Sequence, residues 1–129
     1  MPIIVTVDHD LHEVNVVAIG PVTFADALQH LEHEVRHGGL SYRKFVDVRG
    51  AGVLVSREEN LEIAERMRAH SREVTLGPVA FVVSSDTAQE AIAVLADLVE
   101  TVCEMRIFHS EREARTWLRA REWERSAGA

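Results

Sequence analysis

The sequence predicts an α/β protein: one mixed β-sheet, antiparallel in its opening hairpin, otherwise mostly parallel, and flanked by four helices. Three observations carry this. Short apolar runs of β-type residues alternate along the chain with segments of helical periodicity. Each helical segment opens on Ser or Thr with an acid three residues on. Breakers, Gly20-Pro21, Gly38-Gly39 and Gly77-Pro78, separate the elements.

Taken in order, Ile3 to Val7 (IIVTV) is the first strand, the polar DHDLHE a turn, and Val14 to Ile19 a second strand that Gly20-Pro21 stops. Thr23 with Asp26 opens the first helix, whose inward stripe is Phe24, Ala27, Leu28, Leu31 and Val35, and Gly38-Gly39 ends it. Phe45, Val46 and Val48 around Asp47 have the composition of a strand covered on both faces. Gly50 and Gly52 follow, a spacing that points to positive φ angles or a close backbone approach. Val53-Leu54-Val55 is a short run, extended or tucked under the sheet edge. Ser56 and Glu59 form a capping box for a helix that turns Leu61, Ile63, Ala64 and Met67 inward.

Val79 to Val83 (VAFVV) is a continuous apolar strand. Thr87 and Glu90 are read as the cap of the third helix, with Ala88, Ala91, Ile92, Leu95, Leu98, Val99 and Val102 on one stripe. Met105 to Phe108 is the last strand, and Ser110 with Glu113 opens a helix carrying Ala114, Trp117 and Leu118 inward. Residues 1–125 form one domain and 126–129 a disordered tail.

Composition narrows the function classes. At 129 residues and 47% apolar, the chain is long and hydrophobic enough to bury a core. Its 21 acids against 14 bases, net charge −7, argue against nucleic acid and against an anionic membrane surface as partner. The lone Cys103 forms no internal disulfide and reads as a small buried hydrophobe. The N-terminus lacks the features of a signal peptide, and no apolar run approaches the ~18 residues of a membrane span, so a cytoplasmic location is expected.

The order of elements, together with VNVVAIGPVTFADALQHL, FVDVRG, VAFVVSSDTAQEAIAVL and the ending MRIFHSEREARTWL, resembles the STAS domains, specifically the SpoIIAA-like branch of small stand-alone bacterial proteins. The resemblance covers nearly the whole chain. It implies a mixed sheet of four or five strands with helices, a non-enzymatic role, and use as a binding or regulatory module. In the anti-sigma-antagonist members a kinase phosphorylates a serine at the start of the second helix, and counting from Asp47 that position is Ser56. Here Val55 replaces the usual preceding aspartate, and Arg57-Glu58 replaces the small residues that follow. The same broad fold group includes lipid-carrying relatives of the Sec14 kind.

Several residue groups are candidates for a site. A phosphate on Ser56 would gain from the helix macrodipole and meet repulsion from Glu58 and Glu59. As a plain N-cap, Ser56 matches Thr23, Thr87 and Ser110 at the other helix starts. Ligands of open α/β sheets sit beyond the strand C-termini. There Asp47, Arg49, Gly50, Gly52, Ser84, Ser85 and His109 are the candidate ligand- or partner-binding residues, for a small anion or another protein. The ordinary alternative is turn chemistry with Asp47 and Arg49 paired. His30, His33 and His37 lie opposite the first helix's stripe and are read as solvated, with Glu32 and Glu34 off their face, so no metal is expected. Trp123, opposite the Ala114-Trp117-Leu118 face, is the interface candidate, and Arg112, Arg115 and Arg119 form a solvated basic stripe. No nucleotide loop or nucleophile elbow is present.

Three functions follow as expectations. The first is a non-enzymatic module, without cofactor, that binds a protein partner, a second copy or a small anion near the Asp47–Ser56 edge. The second is a carrier of a lipid or other apolar ligand, which requires a pocket of about 300 Å³ or more. The third is a small enzyme using the strand-end polar groups, which requires titratable groups within hydrogen-bond reach.

Overall fold

The computed structural model describes residues 3–121. The elements run β1 (Ile3–Asp8), β2 (Glu13–Thr23), α1 (Phe24–His37), β3 (Arg43–Leu54), α2 (Arg57–His70), β4 (Val79–Val82), α3 (Asp86–Leu98), β5 (Met105–Phe108) and α4 (Glu111–Arg119). The five strands form one sheet in sequence order, β1-β2-β3-β4-β5, with β1 antiparallel to β2 and every other pair parallel. The mixed sheet with four helices is the architecture that the alternating pattern predicts.

Strand alternation divides the core in two. Val14, Val16, Ala18, Val46, Val48 and Val79 point to one face and pack with Ala64 of α2 and Ala88 and Ile92 of α3. Phe45, Ala80 and Val82 point to the other and meet Ala114 and Leu118 of α4. Both faces of β3 and β4 are therefore covered, which is why their sequences are nearly continuous apolar runs.

Helix starts follow local chemistry. Thr23 and Ser56 each close a full capping box, with Asp26 and Glu59 respectively. The third helix departs from expectation: Ser85, not Thr87, is its N-cap, accepting from the Ala88 N–H at 3.2 Å. A serine two residues earlier makes the same bond to its own N3 amide, so the helix takes the first acceptor available.

Two further expectations are corrected. Gly20-Pro21 does not stop β2. Gly20 takes φ +77° and the strand continues to Thr23, pairing residue by residue with Gly50–Leu54 of β3. A bulge, with Asp47 opposite Val17 and Gly50 opposite Ile19, shifts the register between the two halves. Gly50 and Gly52 accordingly have no positive φ, and a Cβ at Gly52 would meet nothing within 4 Å. The close approach is at Gly77 instead, where an added Cβ would lie 2.1 Å from the Tyr42 carbonyl oxygen.

Candidate functional site

Between the sheet and helices α1, α2 and α3 lies a cavity of about 180 Å³. Its walls are overwhelmingly apolar: Val16, Val46 and Val48 from the sheet, Leu31 from α1, Ile63 from α2 and Ile92 from α3 are representative. Against that lining stand His30, Glu34 and Lys44.

The register explains how Lys44 gets there. Its partners across the sheet are Val14 and Val79, both buried, so a lysine interrupts a row of inward-facing valines on the central strand. Glu34 reaches it from α1. Lys44 Nζ donates to Glu34 Oε1, and His30 Nε2, one turn earlier on the helix, lies 3.3 Å from the same oxygen. Glu34 is 3% exposed. Burial by itself would raise its pKa, but the charge of Lys44, assisted by His30, outweighs this and leaves the carboxyl below its ordinary value. Glu34 Oε2 and His30 Nδ1 are buried with no hydrogen-bond partner among the described residues.

The cavity has a side toward solvent. Ile3 and His30 also line an outer depression with Val5, Asp26, Gln29, His33 and Arg36, so these two residues stand between the cavity and that depression.

The strand-end residues form a different arrangement. Asp47 and Arg49 are paired through two bonds, Nε to Oδ1 at 3.0 Å and Nη2 to Oδ2 at 2.8 Å, and these bonds hold the Asp47 carboxyl below its ordinary value. Arg49 also reaches Glu111 Oε1 at 3.1 Å, and its carbonyl accepts from Ser84 Oγ at 3.0 Å. His109 Nε2 lies 3.0 Å from Gln89 Oε1, and Ser85 caps α3. The tertiary fold brings Asp47, Arg49 and Ser84 together. It carries Gly50 and Gly52 away along the β2–β3 extension, past Asp47, the last β3 residue paired with β4. Ser56 lies beyond that extension, where its Oγ accepts from the Glu59 N–H at 3.1 Å and its own N–H donates to Glu59 Oε1 at 2.9 Å.

No family model matches the chain, and no curated protein does. Among solved structures it is similar to an uncharacterised protein of the DUF3478 family with a SpoIIAA-like fold from Shewanella loihica PV-4. The two share 20% identity at a TM-score of 0.58, over 90% of this chain and 91% of that one. Strand order, mixed pairing and helix count agree with this likeness. The fold is SpoIIAA-like.

Within this SpoIIAA-like frame, several side chains stand elsewhere than the sequence indicates. His30 is half-buried at the cavity, not solvated, although His33 and His37 are exposed. Glu34 occupies the inward stripe of α1 in place of Val35, which is 39% exposed. In α2 the buried polar residue is Asn60, whose Nδ2 donates to the Ala91 carbonyl at 3.1 Å, while Leu61 faces outward. Arg115 is not simply solvated: its guanidinium lies 3.9 Å above the Phe45 ring and donates to Asn15 Oδ1 at 3.0 Å. Trp123 and the tail 126–129 lie outside the described residues.

Glu34 and Lys44 are the residues that the sequence reading missed. A signal existed. Glu34 follows Leu31 by three positions on the buried stripe, and Lys44 alternates with Val46 and Val48. Each looks like a boundary residue alone, and only the pair explains both. Among the described residues no group of three or more His, Cys, Asp or Glu is arranged to hold a metal, and no helix is long and apolar enough to cross a membrane.

Proposed function

We propose that this protein is a non-enzymatic ligand-binding module that takes a small, mainly apolar molecule into the cavity between its sheet and helices α1–α3. The observation that carries the reading is an apolar cavity of about 180 Å³ with a charged pair in its wall. A core built only for stability gains nothing from Lys44 and Glu34 there. Buried ion pairs are often matched or bettered by apolar residues of similar volume. Their presence among valines is a cost that ligand recognition accounts for. The volume is below the ~300 Å³ of ordinary drug-sized sites. It is close to the ~150 Å³ of a dry cavity that binds benzene. The occupant is thus smaller than a membrane lipid: a small ring compound or a short alkyl chain.

The test is native mass spectrometry of the protein purified from its own host cells. The expected result is an adduct that denaturing conditions release and that Ala91→Leu, which fills the cavity from α3, abolishes. Identical bare masses for both forms, together with no rise in Tm on adding benzene, would reject the reading.

A second reading, a protein partner near the Asp47–Ser56 edge, is favoured by one observation. On the face where α4 packs against β3, β4 and β5, Ile19 and Leu54 are 58% and 60% exposed, beside the side-chain-free Gly50 and Gly52. This exposed apolar strip on the β2–β3 extension suits docking of another chain. Substituting both Ile19 and Leu54 by Lys separates the readings, since partner binding would be lost and cavity binding retained.

A further inference from the structure

We propose that the Glu34–Lys44–His30 cluster recognises a neutral hydroxyl, alcohol or phenol, at the polar end of the cavity's ligand. This rests on the cavity-binding reading above and adds the chemical class of ligand. Three features of the cluster select it.

The charges come first. Lys44 and Glu34 already neutralise one another within the wall, so the site as a whole offers no uncompensated charge to an ionic head group. A ligand carboxylate approaching Lys44 would also meet the Glu34 carboxylate in a medium of low polarity, where like charges repel strongly. A ligand ammonium would meet Lys44 in the same way.

The unsatisfied hydrogen-bonding positions come second. Glu34 Oε1 takes both Lys44 and His30, leaving Oε2, an acceptor, without a partner among the described residues. His30 Nδ1 is likewise buried without one. Lys44 has three N–H donors, of which Glu34 Oε1 uses one. The cluster therefore holds an unsatisfied acceptor beside a donor in the cavity wall. A hydroxyl is the smallest neutral group that donates to one and accepts from the other, and a bond to an ionised acceptor is stronger than one between neutral groups.

Access is the third. His30 lines both the outer depression between β1 and α1 and the cavity, and Glu34 lies one helical turn further along α1. The apolar body of a ligand then rests against Leu31, Ile63 and Ile92.

The experiment titrates the full chain with 1-hexanol, hexanoate, hexylamine and hexane, following the methyl resonances of the Val, Leu and Ile residues that line the cavity. The expected order is hexanol tightest, with hexanoate and hexylamine weaker by about tenfold or more and hexane also weaker. In Glu34→Gln the preference of hexanol over hexanoate should shrink by about tenfold, because the repelling charge is gone. The wild-type comparison stands on its own if that variant fails to fold. Equal binding of hexanol and hexanoate, or hexane binding as tightly as hexanol, would overturn the hydroxyl assignment while leaving the cavity reading intact. No binding of any of the four would overturn both.

Discussion

Lys44 on the central strand and Glu34 on the first helix form an ion pair walled in by valine and leucine side chains, with Glu34 almost wholly removed from water. Losing one partner leaves the other as an uncompensated charge in an apolar wall. Lys44→Met should therefore destabilise the fold by about 3–5 kcal/mol, whereas Lys44→Met with Glu34→Leu should recover most of that loss. Urea unfolding of wild type, the single and the double variant checks this. A double variant no more stable than the single one would refute it.

Acid should expose the same pair. The Glu34 carboxyl lies below its ordinary value of 4.5 in the folded chain because Lys44 and His30 outweigh burial, and Asp47 lies below 3.8 chiefly through its bonds to Arg49. A depressed carboxyl contributes stability that is fully present above its unfolded pKa and lost as pH falls through its folded one. Unfolding midpoints should accordingly hold steady down to about pH 5 and then fall steadily toward about pH 3. The Lys44→Met, Glu34→Leu variant should show a shallower fall, and an identical pH profile would contradict the assignment.

Ser56 is the N-cap of α2 through a reciprocal pair of bonds with Glu59. Ser56→Ala should lower stability by about 1 kcal/mol through the lost cap, and Ser56→Gly by only a few tenths. Equal effects of the two would mean that the hydroxyl does something other than capping.

The two glycine environments make opposite predictions. At Gly77 a methyl group would press on the Tyr42 backbone, so Gly77→Ala should cost about 1–3 kcal/mol or more. At Gly52, extended and with open space around it, alanine should be neutral or stabilising by up to about 1 kcal/mol. Thermal unfolding of the two variants measures both.

Cys103 is buried, its Sγ lies 3.5 Å from the Gly77 carbonyl, and burial pushes its thiol up to about 11. At pH 7.5 iodoacetamide should label it only on unfolding, at a rate that urea increases steeply. Fast labelling of the native protein would show that the core opens at Cys103.

Most of the architecture was written in local chemistry. The apolar runs at Ile3, Val14, Phe45, Val79 and Met105, the caps at Thr23, Ser56 and Ser110, and the αL glycine at Gly38 depend on neighbours within a few residues, and such signals survive in a linear reading. The mixed sheet, with its antiparallel opening hairpin and otherwise parallel strands, followed from that alternation, whereas the order β1-β2-β3-β4-β5 is the fold's own. What sequence alone could not decide was which face of each element meets a distant partner. Asp47 and Arg49 were legible as a pair because they are two residues apart, yet the third member, Glu111, lies 62 residues from Arg49. Gly50 and Gly52 look like a bend, but Ile19–Thr23 pairs with that segment and keeps it extended. Glu34 and Lys44 are each ordinary charges at the margin of an element. They become a site only because the sheet register points Lys44 inward and α1 lays Glu34 above it, an encounter that long-range packing, not local preference, creates.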